Sequence, residues 1–230
     1  MYRICMFRHI LIALTCCLTL AAHAQESEAG NWFMYMGNQS FHQRWNWWNE
    51  VQYRNYNFAG DLQQLLLRTG IGYNLSENNN NILLGYAYIF GRTYITNDSA
   101  SSSAEHRLFL QCITRQQFGR VYMQHRYRLE DRNIQDDPSL RFRYMLGFNV
   151  PLTQKTMAAG AVYASVYNEV FLNTAAPNFD RNRLYGAIGY VFTPYVKAEM
   201  GFMSQMYSIS HRNQFQIALF NNMPFRSEKE

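Results

Sequence analysis

The sequence predicts an all-β protein: a closed antiparallel transmembrane β-barrel of ten or twelve strands behind an N-terminal signal peptide. Three observations predict it. Apolar residues recur with period two along most of the chain, the mark of strands with two unlike faces. Many of these runs reach 11–14 residues, against ~5–6 for soluble strands and ~9–11 for a tilted membrane strand. The face opposite the apolar one carries too much charge for a protein core.

Composition narrows the field. The 230 residues are 48% hydrophobic, and the aromatic share of 16% equals the charged share. Such a length allows one domain with a core large enough to need no metal or disulfide staple. A mean hydropathy of −0.34 argues against a bundle of membrane helices. Scarce Pro and abundant aromatics exclude collagen-like and disordered chains.

The first segment to justify is 1–24. Arg3, Arg8 and His9 precede the apolar run 10–22, and Ala22-His23-Ala24 fits the small-x-small rule of signal peptidase. The run is too short for a span of ~20 residues. Neither Cys16 nor Cys17 has the small residue before it that a lipobox needs. Cleavage removes Arg3 and Arg8 and lowers the net charge from +5 to +3. That is too mild to imply nucleic acid. It also removes Cys5, Cys16 and Cys17, leaving Cys112 with no intramolecular partner. The expected barrel spans 25–222, followed by a short polar tail, 223–230.

Eleven segments carry the strand signal. The first, 32–38, is short, and reads as an extra strand, an inserted plug or half of a pair. Segments 45–58 and 61–75 place Glu50, Arg54 and Arg68 on one face. Segment 81–91 is ambiguous, because both faces are apolar or small. Segment 104–115 puts Glu105, Arg107 and Arg115 in phase. In 120–131, Val121, Met123, Tyr127 and Leu129 oppose Tyr122, Gln124, Arg126, Arg128 and Glu130. The clearest split is 138–150, where Leu140, Phe142, Tyr144, Leu146 and Phe148 oppose Arg141, Arg143, Met145, Gly147 and Asn149. Segments 160–173 and 182–192 contribute Glu169 and Arg183. In 195–207, Val196, Ala198, Met200 and Phe202 oppose Lys197, Glu199, Gly201 and Gln205. In 211–221, Phe215, Ile217 and Leu219 oppose Gln214, Gln216 and Ala218. Eleven is odd and bacterial barrels are normally even, so ten or twelve strands are expected.

Short turns at 76–80, 116–119 and 193–194 alternate with longer loops at 92–103, 132–137 and 174–180. Outer-membrane barrels show this alternation. With no water in a bilayer, only closure satisfies every backbone group. The polar face then turns inward, lining a lumen with Glu50, Arg54, Arg68, Glu105, Arg107, Arg115, Arg126, Arg128, Glu130, Arg141, Arg143, Glu169, Arg183, Lys197 and Glu199. His125 and Asn168 fall on the lipid-facing phase, where polar groups are costly. The expected address is the outer membrane of a Gram-negative bacterium. The partners are outer-membrane lipid and the outer-membrane assembly machinery. A soluble periplasmic β-barrel binding protein is the alternative.

A set of motifs adds a resemblance. It comprises Val51-Gln52-Tyr53-Arg54 with Asn55-Tyr56, and Leu65-Leu66-Leu67-Arg68-Thr69-Gly70-Ile71-Gly72-Tyr73. Glu105-His106-Arg107, Gln124-His125-Arg126-Tyr127-Arg128-Leu129-Glu130 and Arg141-Phe142-Arg143-Tyr144 continue it. Tyr167-Asn168-Glu169-Val170-Phe171-Leu172-Asn173 and Phe179-Asp180-Arg181-Asn182-Arg183 complete it. Together they resemble the bacterial family catalogued as domain of unknown function 2490, over roughly residues 31–222. The resemblance implies an outer-membrane barrel, common in Bacteroidetes-type bacteria, and carries over no catalytic residue. Such barrels often end on an aromatic; Phe220 fits that place, with ten residues after it.

Three functions suit such a lumen. The first is structural or passive, with Arg–carboxylate networks holding a narrow barrel together, for example Glu105 and Glu130 beside Arg126 and Arg128. The second is a narrow anion-preferring channel for small anionic solutes, built on Arg107, Arg126, Arg128, Arg141 and Arg143. The third is a lipid-modifying hydrolase. No Gly-x-Ser-x-Gly elbow occurs, the serines at 99–103 read as a loop tip, and His106 and His211 read as solvated rim residues. Asp131, Asp136, Asp137 and Asp180 read as loop acids, and no metal spacing stands out. The expectation is a non-enzyme without cofactor, metal or nucleic-acid partner.

Overall fold

The computed structural model describes residues 30–57, 60–76, 79–96, 99–134 and 137–225. The expected signal peptide, 1–24, Asp136, Phe58 and tail residues 226–230 lie outside the described residues. Eleven strands follow one another: β1 (Gly30–Ser40), β2 (Trp45–Asn55), β3 (Leu62–Asn74), β4 (Asn80–Thr96), β5 (Ser99–Phe118), β6 (Val121–Ile134), β7 (Asp137–Pro151), β8 (Val162–Asn173), β9 (Phe179–Val191), β10 (Val196–Met206) and β11 (His211–Asn221). Each pairs with its chain neighbours, and β1 closes onto β11 to complete a barrel.

The closure corrects the expected ten or twelve strands. Parity holds only if every pair is antiparallel. Here β1 and β11 run parallel, with Gly30 opposite Gln214 and Gly37 opposite Asn221, so eleven strands close. The segment 32–38 is therefore the core of a full strand, bonded to β2 on its other side.

The same alternation that marks the strands sorts the two faces. Inward positions bury Glu50, Gln52 and Arg54 on β2, or Arg141 and Arg143 on β7. Outward positions expose Val51 and Tyr53, or Leu140 and Phe142. One row can be followed around much of the barrel: Ile71, Leu84, Leu110, Leu129, Phe142 and Leu172 are consecutive cross-strand partners, and all are exposed. The ambiguous segment 81–91 also resolves. Leu83, Ala87 and Ile89 turn inward and pack with Leu66 and Phe109, an apolar stretch of lumen wall.

One end of the barrel is made of turns. Phe118 pairs with Val121 across a two-residue turn, and Gly119 there has φ +57. That conformation suits Gly and matches the strand twist in hairpins. At the same end 152–161 forms a longer connection that closes against Val191 through hydrogen bonds. The other end is made of prolonged hairpins. The expected loop 92–103 is almost wholly strand, with Arg92 opposite Ser102 and Tyr94 opposite Ala100. The expected loop 132–137 is likewise paired up to Ile134 and Asp137. The serines at 99–103 thus lie in β5, and Asp131, Asp137 and Asp180 lie in strands. The strand signal vanishes in 92–103 because residues 92–95 and 99–103 are exposed on both faces, so neither face has to be apolar.

Both polar residues that fall on the apolar phase at mid-strand find polar partners there. His125 Nδ1 lies 2.8 Å from the Tyr144 hydroxyl and its ring stacks on Tyr127. Asn168 donates to Asn182 at 2.7 Å. His106 Nδ1 lies 2.6 Å from the Tyr86 hydroxyl on the outer wall rather than standing alone at a rim. Phe220 turns inward beneath Lys197, whose ammonium lies 4.7 Å from the ring centroid. The outer aromatic at the C-terminus is instead Phe225, stacked on Trp47 at 5.7 Å.

Candidate functional site: the charged lumen

Strand alternation delivers all fifteen predicted charges to the inside. Twelve are buried; Arg115, Arg126 and Lys197 are half-buried. Their grouping follows from strand register: most pairs join residues of one strand or of adjacent strands, and Arg126–Glu169 and Arg141–Asp180 reach across an intervening strand.

Glu130 on β6 is the centre of one group. Arg141 Nη2 lies 2.5 Å from its carboxylate, Arg143 Nη1 2.6 Å, Arg107 Nη1 3.6 Å and Arg128 Nη1 3.7 Å. Glu169 on β8 is the second centre, with Arg143 at 2.7 Å, Arg126 at 2.8 Å and Arg183 at 3.8 Å. Arg143 links the two carboxylates through separate nitrogens, a use of its planar fork that Lys lacks. Glu105 takes Arg107 and Arg132, each at 2.6 Å, and Glu50 takes Arg68 at 3.0 Å. Glu199 accepts from Tyr163 at 2.9 Å and Tyr185 at 3.4 Å, with Lys197 at 3.7 Å. Tyr163 fits there because it faces Gly189, where a Cβ would sit 2.2 Å from the ring.

Of the expected pairs, Arg128 with Glu130 is present at 3.7 Å, and two others differ. Arg126 reaches to Glu169 rather than to its neighbours Glu105 and Glu130. Asp180, expected as a solvated loop acid, holds Arg141 at 2.9 Å and Arg181 at 3.0 Å.

Cations with a distant carboxylate or none are held by neutral amides and aromatic rings. Arg54 donates to Gln64 at 2.9 Å and to Gln52, and lies 3.6 Å over the Trp32 ring. Arg128 donates to Gln111 at 3.0 Å and lies over Phe109. Arg183 donates to Gln205 at 2.7 Å, and the guanidinium groups of Arg183 and Arg143 lie 4.5 and 4.4 Å from the Phe171 ring. Desolvated cation–π contacts are worth ~2 kcal/mol or more. Gln52, Gln111, Gln205, Trp32 and Phe171 therefore belong to the site. Gln52, two residues from Arg54 on the same face, carries a sequence signal; the others meet their Arg only through strand pairing, Trp32 opposite Arg54, Gln111 opposite Arg128, Gln205 opposite Arg183 and Phe171 opposite Arg143.

The interior is filled at one level and open at the other. A cavity of about 460 Å³ occupies the turn end, running inward to Trp32, Gln52, Arg143, Glu169 and Arg183. Beyond it Arg54, Arg107, Glu130, Arg141 and Phe171 are all buried. Among the described residues, no three of His, Cys, Asp and Glu come together as a metal-binding group.

A barrel with an ion-paired interior and an apolar exterior is the class that fold and lumen define. The chain belongs to the family described as Protein of unknown function (DUF2490), whose model matches residues 29–216. No curated protein and no solved structure matches it.

Proposed function

We propose that this chain is an outer-membrane β-barrel with a structural, passive role, its lumen closed by its own ion pairs. The inverted distribution of polarity carries the reading: charges inside, and a continuous row of exposed Leu, Ile and Phe outside. In water that row is a liability, since soluble monomers rarely expose large apolar patches. In a bilayer it is the required surface. The short-turn end faces the periplasm and the prolonged hairpins face out, following the loop asymmetry of such barrels. Partners on this reading are outer-membrane lipid and the assembly machinery that inserts barrels.

An anion crossing the lumen would have to displace the Arg141–Glu130–Arg143 layer, with contacts of 2.5 and 2.6 Å. The test is a planar-bilayer recording on refolded protein whose folding is checked by a heat-dependent gel shift. The expected result is no steady conductance. Steady anion-selective steps would favour the channel reading over the closed one. Protein that stays monomeric in water without lipid or detergent would sink the membrane reading.

A further inference from the structure

The cavity at the turn end has a charge and a lining that the ion-pair network leaves unused. Six cations line it, Arg68, Arg115, Arg126, Arg143, Arg183 and Lys197, against three carboxylates, Glu50, Glu169 and Glu199. Each carboxylate is already engaged within the barrel. Arg115 hydrogen-bonds only the neutral Gln124, at 3.2 Å, and makes no ion pair among the described residues. Arg126 spends one nitrogen on Glu169 while its buried Nε has no partner. Arg115 on β5 and Lys197 on β10 stand near the mouth on opposite sides of the strand order.

The rest of the lining is apolar and adaptable. Met34, Met36, Met145 and Met157 line the cavity together with Trp48 and Leu83. Thioether side chains re-pack around irregular apolar bodies at little cost. A volume of about 460 Å³ falls within the range of small-molecule pockets, roughly 300–1,000 Å³. A small inorganic anion would use the cations and leave the methionine wall against water. A neutral lipid tail would use the wall and leave Arg115 unpaired.

We propose that the turn-end cavity binds one single-chain carboxylate amphiphile, its head between Arg115, Arg126 and Lys197 and its tail along the methionine wall. The proposal rests on the blind lumen and holds whether or not the barrel lies in a membrane. Its failure is thus separate from that of the membrane reading.

The probe is decanoate, titrated calorimetrically into the folded full barrel, in zwitterionic-lipid nanodiscs with empty discs subtracted, or in buffer alone if the protein stays monomeric without lipid. Decanol and decyltrimethylammonium serve as neutral and cationic matches of the same length. The expected result is one saturable site for decanoate, with decanol weaker by roughly tenfold or more, the scale of a lost charge-assisted hydrogen bond. Arg115→Gln weakens decanoate by a similar factor. Met36→Trp, which fills the cavity and leaves every charge in place, removes binding. Equal binding of decanoate and decanol overturns the proposal. So does decanoate binding that survives Met36→Trp in protein that keeps its heat-dependent gel shift, whether or not Arg115→Gln folds.

Discussion

Glu130 is 1% exposed and has four guanidinium groups within 3.7 Å. Its removal would leave Arg141 with Asp180 as its remaining carboxylate and Arg128 with none within reach. Breaking a buried pair from one side costs ~3–5 kcal/mol, mostly from the stranded charge. Glu130→Gln should therefore lose stability on that scale, read by urea unfolding in lipid vesicles. Asp131→Asn, next in sequence but exposed, should change it by no more than ~0.5 kcal/mol. A Glu130→Gln barrel as stable as the parent would contradict the network. The same carboxylate shows what a sequence can and cannot tell at this scale. Period two was enough to put Glu130 and its arginines on one face. It was silent on partners, because Arg126 finds Glu169 two strands away. Nor did it show that neutral Gln and aromatic rings would take the surplus cations, since that depends on which rows of the barrel meet.

Among the elements, the seam between β1 and β11 is where local reading failed. Each strand was legible from its own alternation, yet pairing direction at closure is a property of the whole ring. The seam is braced on its outer side. Asn222 donates to Tyr195, and Phe225 donates to Ser40 at 3.0 Å and stacks on Trp47, so the C-terminal residues cross from β11 over β1 to β2. Gln39, Asn49, Asn221 and Tyr35 form a hydrogen-bonded cluster nearby. Phe225→Ala should cost ~0.5–1.5 kcal/mol, the range of an aromatic pair, and show as a lower gel-shift temperature. An unchanged temperature would mean that the strap does not brace the seam. Parallel closure has its own test. Phe33 and Ile217 are paired across the seam on the outer face. In protein prepared without residues 1–24, with both changed to Cys and Cys112 changed to Ser, oxidation should give an internal disulfide, because neighbouring strands bring Cα atoms within the ~4.4–6.8 Å it needs. Mass spectrometry showing free thiols in the folded barrel would argue for another closure. The prolonged β4–β5 hairpin was illegible for a different reason: past Glu105 and Gln64 it has no neighbour on either side, so neither face is forced to be apolar.

For the molecule as a whole, one substitution separates a bilayer from water. Leu110 lies in the exposed row between Leu84 and Leu129, and is itself 57% exposed. In a soluble barrel, Leu110→Arg is a surface change worth no more than ~0.5 kcal/mol, and it relieves an apolar patch. In a membrane barrel, the same side chain sits at mid-height on the lipid face, where Arg costs ~2–4 kcal/mol. Two opposed signs of burial thus make two different predictions from one residue. Unfolding titrations in vesicles should show a loss of that size for Leu110→Arg. They should show a smaller loss, ~0–1 kcal/mol, for Tyr94→Arg at the tip of the hairpin, where the row has ended. If the two substitutions cost the same small amount, the exposed leucines do not face lipid, and a soluble barrel with an unidentified covering partner becomes the better account of this surface.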